Sequence, residues 1–146
     1  MLSINVCDSM GANLVNTICE GLAPTLESIT KGRTGLKILS NLCMLRKASA
    51  SFRVPISKMG FKSFQGDLVA RRILEAYSFA RSNKLRAATH NKGVMNGIDA
   101  VALATGQDWR AIEAAAHSYT HVSAPNGYGP MTHYCIVEDE ELGTCL

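Results

Sequence analysis

The stretch EAYSFARSNKLRAATHNKGVMNGIDAVALATGQDWRAIEAAAHSY, residues 75–119, decides the fold. Three helical patterns run through it, separated by breaks at Ser82-Asn83 and Thr105-Gly106. The first belongs to a helix over 66–83, apolar at Val69, Ile73, Ala76, Tyr77 and Ala80. The second spans about 86 to 104, and the third starts at Asp108 and runs to about Tyr119. Asp108 suits the N-cap of that third helix.

The middle helix holds the feature most in need of explanation. At about 100° per residue, Thr89, Lys92, Asn96 and Asp99 share one sector. Val94, Ile98 and Val101 lie opposite and are expected to be buried, while Gly93, Gly97 and Ala100 line a flank that would admit another backbone. A lysine so placed is expected to be partly desolvated, with Asp99 or Asp108 restoring its charge. The pattern alone equally permits a snorkelling Lys92 and an Asp108 that only caps.

Working outward, residues 2–7 alternate as a strand, with Leu2, Ile4 and Val6 on one face. Asp8 then precedes a helical pattern that runs to about Thr30, closed by Lys31-Gly32, and Pro24 predicts a kink or break near Leu22-Ala23. GLKILSNL (35–42) and SASFRVPI (49–56) read as two further strands, Pro55 marking an edge. SAPNGYGP (123–130) is a loop, and MTHYCIVED (131–139) a final strand. This order predicts an α+β protein of two unlike parts, joined near residues 42–50.

Two smaller clusters carry possible chemistry. DSMGAN, Asp8 to Asn13, stands at a strand-to-helix turn, where backbone N–H groups and the helix dipole favour an anion. Its plainer reading makes Asp8 an N-cap. His117-x-x-x-His121 with His133-x-Cys135 has zinc-like spacing, but no acidic partners accompany it and no metal is expected. Trp109 most simply packs the third helix onto its neighbours.

Bulk composition narrows the class. The 146 residues are 47% hydrophobic and 18% charged, enough for a packed core and against disorder. The net charge of +3 is scattered; Arg46, Lys47 and Arg53, with only Phe52 to stack on a base, read as a solvated face, so no nucleic-acid partner is expected. Five cysteines without a paired motif read as thiols in a reducing, cytoplasmic setting. The apolar runs fall short of the roughly 20 residues a membrane span needs. Both ends read as though cut within an element, so an internal fragment is expected.

In combination these stretches become specific. DSMGANLVNT, KILSNL, the 75–119 block and GYGPMTHY, in this order and at these spacings, closely resemble hydroxymethylglutaryl-coenzyme A (HMG-CoA) reductase in its soluble class II form. The resemblance covers nearly the whole chain and about the middle third of a full-length enzyme. It implies the reduction of HMG-CoA to mevalonate and CoA in the mevalonate pathway of isoprenoid biosynthesis, or the reverse. NADH or NADPH would be the cofactor. By the same resemblance Lys92 and Asp108 are catalytic, while Arg86, Thr89 and Asn96 hold the substrate. Asp8, Met10, Gly11 and Asn13, with Ser9 where alanine is usual, would flank the cofactor together with Asn41.

The family's catalytic glutamate and histidine match no residue between 1 and 146, so the isolated chain is expected to be inactive. Residues 1–45 would belong to a small ferredoxin-like cofactor domain. Residues 46–146 would supply the central helices of a large, mostly helical substrate domain. A homodimer or higher homo-oligomer is implied, its site at the subunit interface. Two alternatives are an inactive remnant acting as a binding or oligomerisation module, and a metal-binding domain.

Overall fold

Gly11 sets the start of the first helix. In the computed structural model, which describes residues 1–146, Gly11 takes a left-handed conformation with φ of 98°, and α1 runs Ala12–Thr30. A side chain there would be strained, and an added Cβ would sit 3.0 Å from Val6. Asp8 is exposed in the preceding turn and caps nothing; the N-cap is Gly11, with no side-chain cap. α1 passes through Pro24 without the expected break, and Ala23 beside it is buried. It ends at Lys31, also left-handed, whose N–H donates to the Glu27 carbonyl.

One stripe of α1 holds the chain that returns along it. Asn16 Oδ1 accepts from Leu39 N at 2.9 Å, Glu20 pairs with Lys37 at 2.7 Å, and Glu27 accepts from both Thr34 N and Oγ1. Positions 16, 20 and 27 lie on one face because helix neighbours recur every three or four residues. Met1–Asn41 forms one compact unit and Leu42–Leu146 another.

The second unit is built on α2 (Gly66–Ser82), α3 (Lys84–Ala104) and α4 (Trp109–Ser123). α2 packs on α3, and α3 on α4. Alanines make the core: Ala70 and Ala80 of α2, with Ala87 and Ala102 of α3, are buried beside Tyr77 and Met95. Asn83 alone separates α2 from α3. Its side chain accepts from Arg86 N at 3.0 Å, so α3 starts at Lys84 rather than near residue 86.

A single 3-10 turn, Ile56–Lys58, lies against the first residue of α2. A Cβ on Gly66 would stand 1.8 Å from the Ile56 carbonyl oxygen, so only glycine permits this approach. At the other end Tyr77 meets His133 and Tyr134 edge-on, with ring centroids 5.7 and 5.6 Å away. β1 (Val137–Asp139) and β2 (Gly143–Cys145) form an antiparallel hairpin with Val137 opposite Cys145. Val54 and Leu146 exchange two backbone hydrogen bonds of 3.0 Å alongside it.

The molecule is therefore α+β, but with fewer strands than the alternation predicts. Residues 2–7 and 35–42 keep a period of two, turning Ile4 and Val6, then Lys37 and Leu39, inward. Neither is a strand: the one two-stranded sheet and the isolated bridges lie outside both stretches. Of 49–56 only Val54 and Pro55 pair, and of 131–139 only Val137–Asp139. The five cysteines form no disulfide, and no helix is long and apolar enough to cross a membrane.

Candidate functional site

α3 presents two unlike faces, and their assignment differs from the expected one. The buried stripe is Ala87, Asn91, Met95 and Ala102. Ile98 and Val101, expected inside, are 38% and 64% exposed. The cause is close helix packing: alanine lets α2 and α3 approach, so the seam follows the small side chains rather than the branched ones. Gly93 and Gly97 face open space, with nothing within 4 Å of an added Cβ, so no backbone approaches that flank.

Thr89, Lys92 and Asn96 stand together on the exposed face, one turn apart in succession. Lys92 is exposed rather than desolvated, and neither Asp99 nor Asp108 pairs with it. Asp99 is about two turns away along α3, beyond direct reach. Its Oδ1 is buried and is the only buried side-chain oxygen or nitrogen without a hydrogen-bond partner. Asp108 accepts from Ala111 N at 3.0 Å as the N-cap of α4, after a turn that Gly106 makes at φ 68°. Trp109, the first residue of α4, is 37% exposed rather than packed away.

Arg86 is half-buried at the start of α3, with its own N–H held by Asn83. Burial holds the His90 imidazole below its ordinary range, and the Arg86 charge adds to this. His90 Nε2 lies 2.7 Å from Thr132 Oγ1. Asn91, fully buried, donates from Nδ2 to the Gly129 carbonyl at 2.9 Å and accepts from Met131 N at 2.8 Å. The sequence reading overlooked both residues. Asn91 lies about one turn from Ala87 and from Met95, in a stripe whose burial depends on the segments packed against it.

Two of the histidines with zinc-like spacing, His117 and His133, have other partners. His117 Nδ1 is 2.8 Å from the Tyr128 hydroxyl, the two rings stacked 6.3 Å apart, and His133 lies against Tyr77. No three metal-ligating side chains converge.

In the first unit, α1 opens with no side-chain cap and no acidic residue in its first turn. Its initial N–H groups thus fit an anionic group. Asp8, Met10 and Asn13 are exposed around that end. Asn41, also exposed, follows the segment that Asn16 ties to α1.

Known proteins share both the sequence and the fold. The family pattern described as hydroxymethylglutaryl-coenzyme A reductase matches residues 1–144. The 3-hydroxy-3-methylglutaryl-coenzyme A reductase of Archaeoglobus fulgidus is 49% identical over 133 residues, which are 91% of this chain and 29% of that protein. A probable reductase of the same name from Borreliella burgdorferi is 33% identical over 140 residues, 96% of this chain and 32% of that one. The solved reductase of Streptococcus pneumoniae superposes with a TM-score of 0.75 at 36% identity, over 97% of this chain and 37% of its own. A class II structure from the same organism, bound to NADPH in open conformations, gives 0.73 at 38% identity, over 97% of this chain and 33% of its own. The chain thus spans about a third of the length of these relatives. Matched almost from end to end by one family pattern, and alike in fold to its solved structures, the chain belongs to the hydroxymethylglutaryl-coenzyme A reductase family.

Proposed function

We propose that this chain is the part of an HMG-CoA reductase that carries its reactive lysine, in a protein that interconverts HMG-CoA with mevalonate and CoA. The observation that carries the reading is the exposed row Thr89, Lys92 and Asn96 on α3, within the matched span. A lysine with no ion pair, on an open face, is available to a ligand that brings its own negative charge.

The chemistry follows from what each side chain can do. NADH or NADPH would supply hydride twice, once to the thioester carbonyl carbon and once to the aldehyde left when CoA departs as its thiol. Lys92 donates a hydrogen bond to the carbonyl oxygen as that oxygen gains negative charge, lowering the barrier where charge develops. Asp108, one helix on, balances the lysine charge once substrate excludes water, and Asn96 adds an amide to the same row. Arg86 and Thr89 bind the hydroxymethylglutaryl carboxylate and hydroxyl. Arg86 suits the carboxylate because its planar fork matches two oxygens.

The uncapped start of α1 receives a cofactor phosphate, with Asp8, Met10, Gly11, Asn13 and Asn41 around it. A cofactor domain of residues 1–45 and a substrate domain of residues 46–146 then divide the work, close to the two compact units, which part between Asn41 and Leu42. Assembly as a homo-oligomer with the site between subunits, in the cytoplasm, rests on the family resemblance; the exposed apolar side chains fit a surface that further protein covers. Residues 1–146 contain no counterpart of the family's catalytic glutamate and histidine, so this stretch alone turns over no substrate.

The test is oxidation of NADH or NADPH by the full-length protein. The reading requires oxidation that depends on HMG-CoA, with two nicotinamides consumed per mevalonate formed. No consumption of either cofactor, in either direction, contradicts it.

A further inference from the structure

The geometry points to Asn91 as a positioning residue. Its buried amide clamps the loop after α4 to α3 and thereby fixes the direction in which Lys92 points. As a statement about catalysis, this rests on the function proposed above.

Asn91 behaves as a piece of neighbouring strand. Gly129 C=O and Met131 N–H flank Pro130, and in extended chain a carbonyl and the N–H two residues on point to the same side. The Asn91 side chain meets both, donating at 2.9 Å and accepting at 2.8 Å, as the N–H and C=O of one residue on an adjacent strand would. Pro130 has no N–H to offer, so the amide satisfies what this stretch can present. Asn91 itself is fully buried, where an unpaired polar group is costly.

An asparagine amide meets both needs at this reach whatever the pH. A carboxylate could accept from Met131 but not donate to Gly129. Glutamine is one methylene too long for a packed site. His90 Nε2 with Thr132, and His117 with Tyr128, touch the same loop on either side, but both histidines are only half-buried.

The consequence for Lys92 is geometric. Adjacent helical residues differ by about 100° in direction. With Asn91 locked inward onto the loop, Lys92 is turned to the open face beside Thr89 and Asn96. Without the clamp, this side of α3 is held by Ala87, Met95 and Ala102 and by the half-buried His90–Thr132 contact, and these resist a rotation less than the same contacts with two further directional hydrogen bonds do.

The test uses the full-length protein and three readouts: steady-state kinetics, helicity, and hydrogen exchange at the Met131 amide. Asn91→Leu is expected to lower kcat about 100-fold per folded molecule, as displacement of a reacting group does. Its KM for HMG-CoA should move less than about threefold, and Met131 should lose its protection.

Asn91→Asp supplies the sharper result. A protonated carboxyl carries one donor and one acceptor, as the amide does, and burial favours that form. Its kcat relative to wild type should therefore rise about tenfold as pH falls from the alkaline side, while helicity stays constant. A residue needed only for folding would show activity tracking helicity instead. Asn91→Leu with wild-type kcat and wild-type Met131 protection overturns the proposal, as does Asn91→Asp without recovery at low pH. If wild-type protein fails to reduce HMG-CoA, the function proposed above falls by itself. Exchange at Met131 in Asn91→Leu then decides the clamp, with retained protection refuting it.

Discussion

Asp108 accepts the amide hydrogen of Ala111 and so closes the first turn of α4, whatever else it does. Capping and charge can be separated, because asparagine caps about as well as aspartate. Asp108→Asn should keep stability within about 0.5 kcal/mol while lowering kcat about 100-fold. Asp108→Ala should in addition lose about 1 kcal/mol in urea unfolding. Equal kinetics for Asp108→Asn and wild type would reduce Asp108 to a cap. Gly66 is the opposite kind of residue, fixed by space alone. With backbone oxygen 1.8 Å from an added Cβ, Gly66→Ala should cost more than about 2 kcal/mol in thermal or urea unfolding. An unchanged midpoint would show that the Ile56–Lys58 turn moves aside freely. Neither Gly66 nor Asn91 stood out in the sequence, since both depend on what a distant segment brings against them.

Among elements, the helices were legible and the strands were not. The breaks at Asn83 and at Thr105-Gly106 fall where polar and glycine residues interrupt the periodicity, and α2, α3 and α4 match them closely. The Pro24 break failed because a continuous helix can lose one N–H and stay packed through Ala23. Helical faces were less legible: Val94, Ile98 and Val101 promised a buried ridge, but alanine contacts set the seam. Strand patterns at 2–7 and 35–42 report which side chains turn inward, not whether a neighbour exists to complete a sheet.

The β1–β2 hairpin carries a titratable contact that no periodicity announces. Asp139 accepts from Leu142 N and Glu141 N at 3.0 Å and pairs with Arg53. The Leu142 amide first, then Arg53 and Glu141, hold its carboxyl below the ordinary carboxylate range. Its stabilisation is therefore complete above the unfolded carboxylate range and is lost as pH falls through the depressed folded value. Urea midpoints should drop across that acid window, and Asp139→Asn should flatten the drop. An unaltered acid limb in Asp139→Asn would place the dependence elsewhere.

Across the whole molecule, far more large apolar side chains are exposed than buried. Leu36 and Leu45 are each 95% exposed, and Phe52 76%. The core of alanines, Tyr77 and Met95 leaves these without cover, as a surface built to be covered would be. Residues 1–146 expressed alone should bind a hydrophobic dye and associate as concentration rises in sedimentation velocity. A dye-silent monomer at every concentration would contradict that. Family membership was legible in the sequence because the matched motifs keep their order and spacing over nearly the whole chain. The arrangement around Lys92 was not, because the expected partners Asp99 and Asp108 are engaged or oriented elsewhere.

The most direct measurement is kcat for HMG-CoA-dependent NAD(P)H oxidation in full-length Lys92→Ala, with wild type assayed beside it. Lys92 is exposed and makes no ion pair, so its removal should leave the unfolding midpoint unchanged. The account predicts that kcat falls at least about 100-fold while the fold stays intact. An undiminished rate in the folded variant would contradict it, leaving Lys92 a solvated side chain on the outer face of α3.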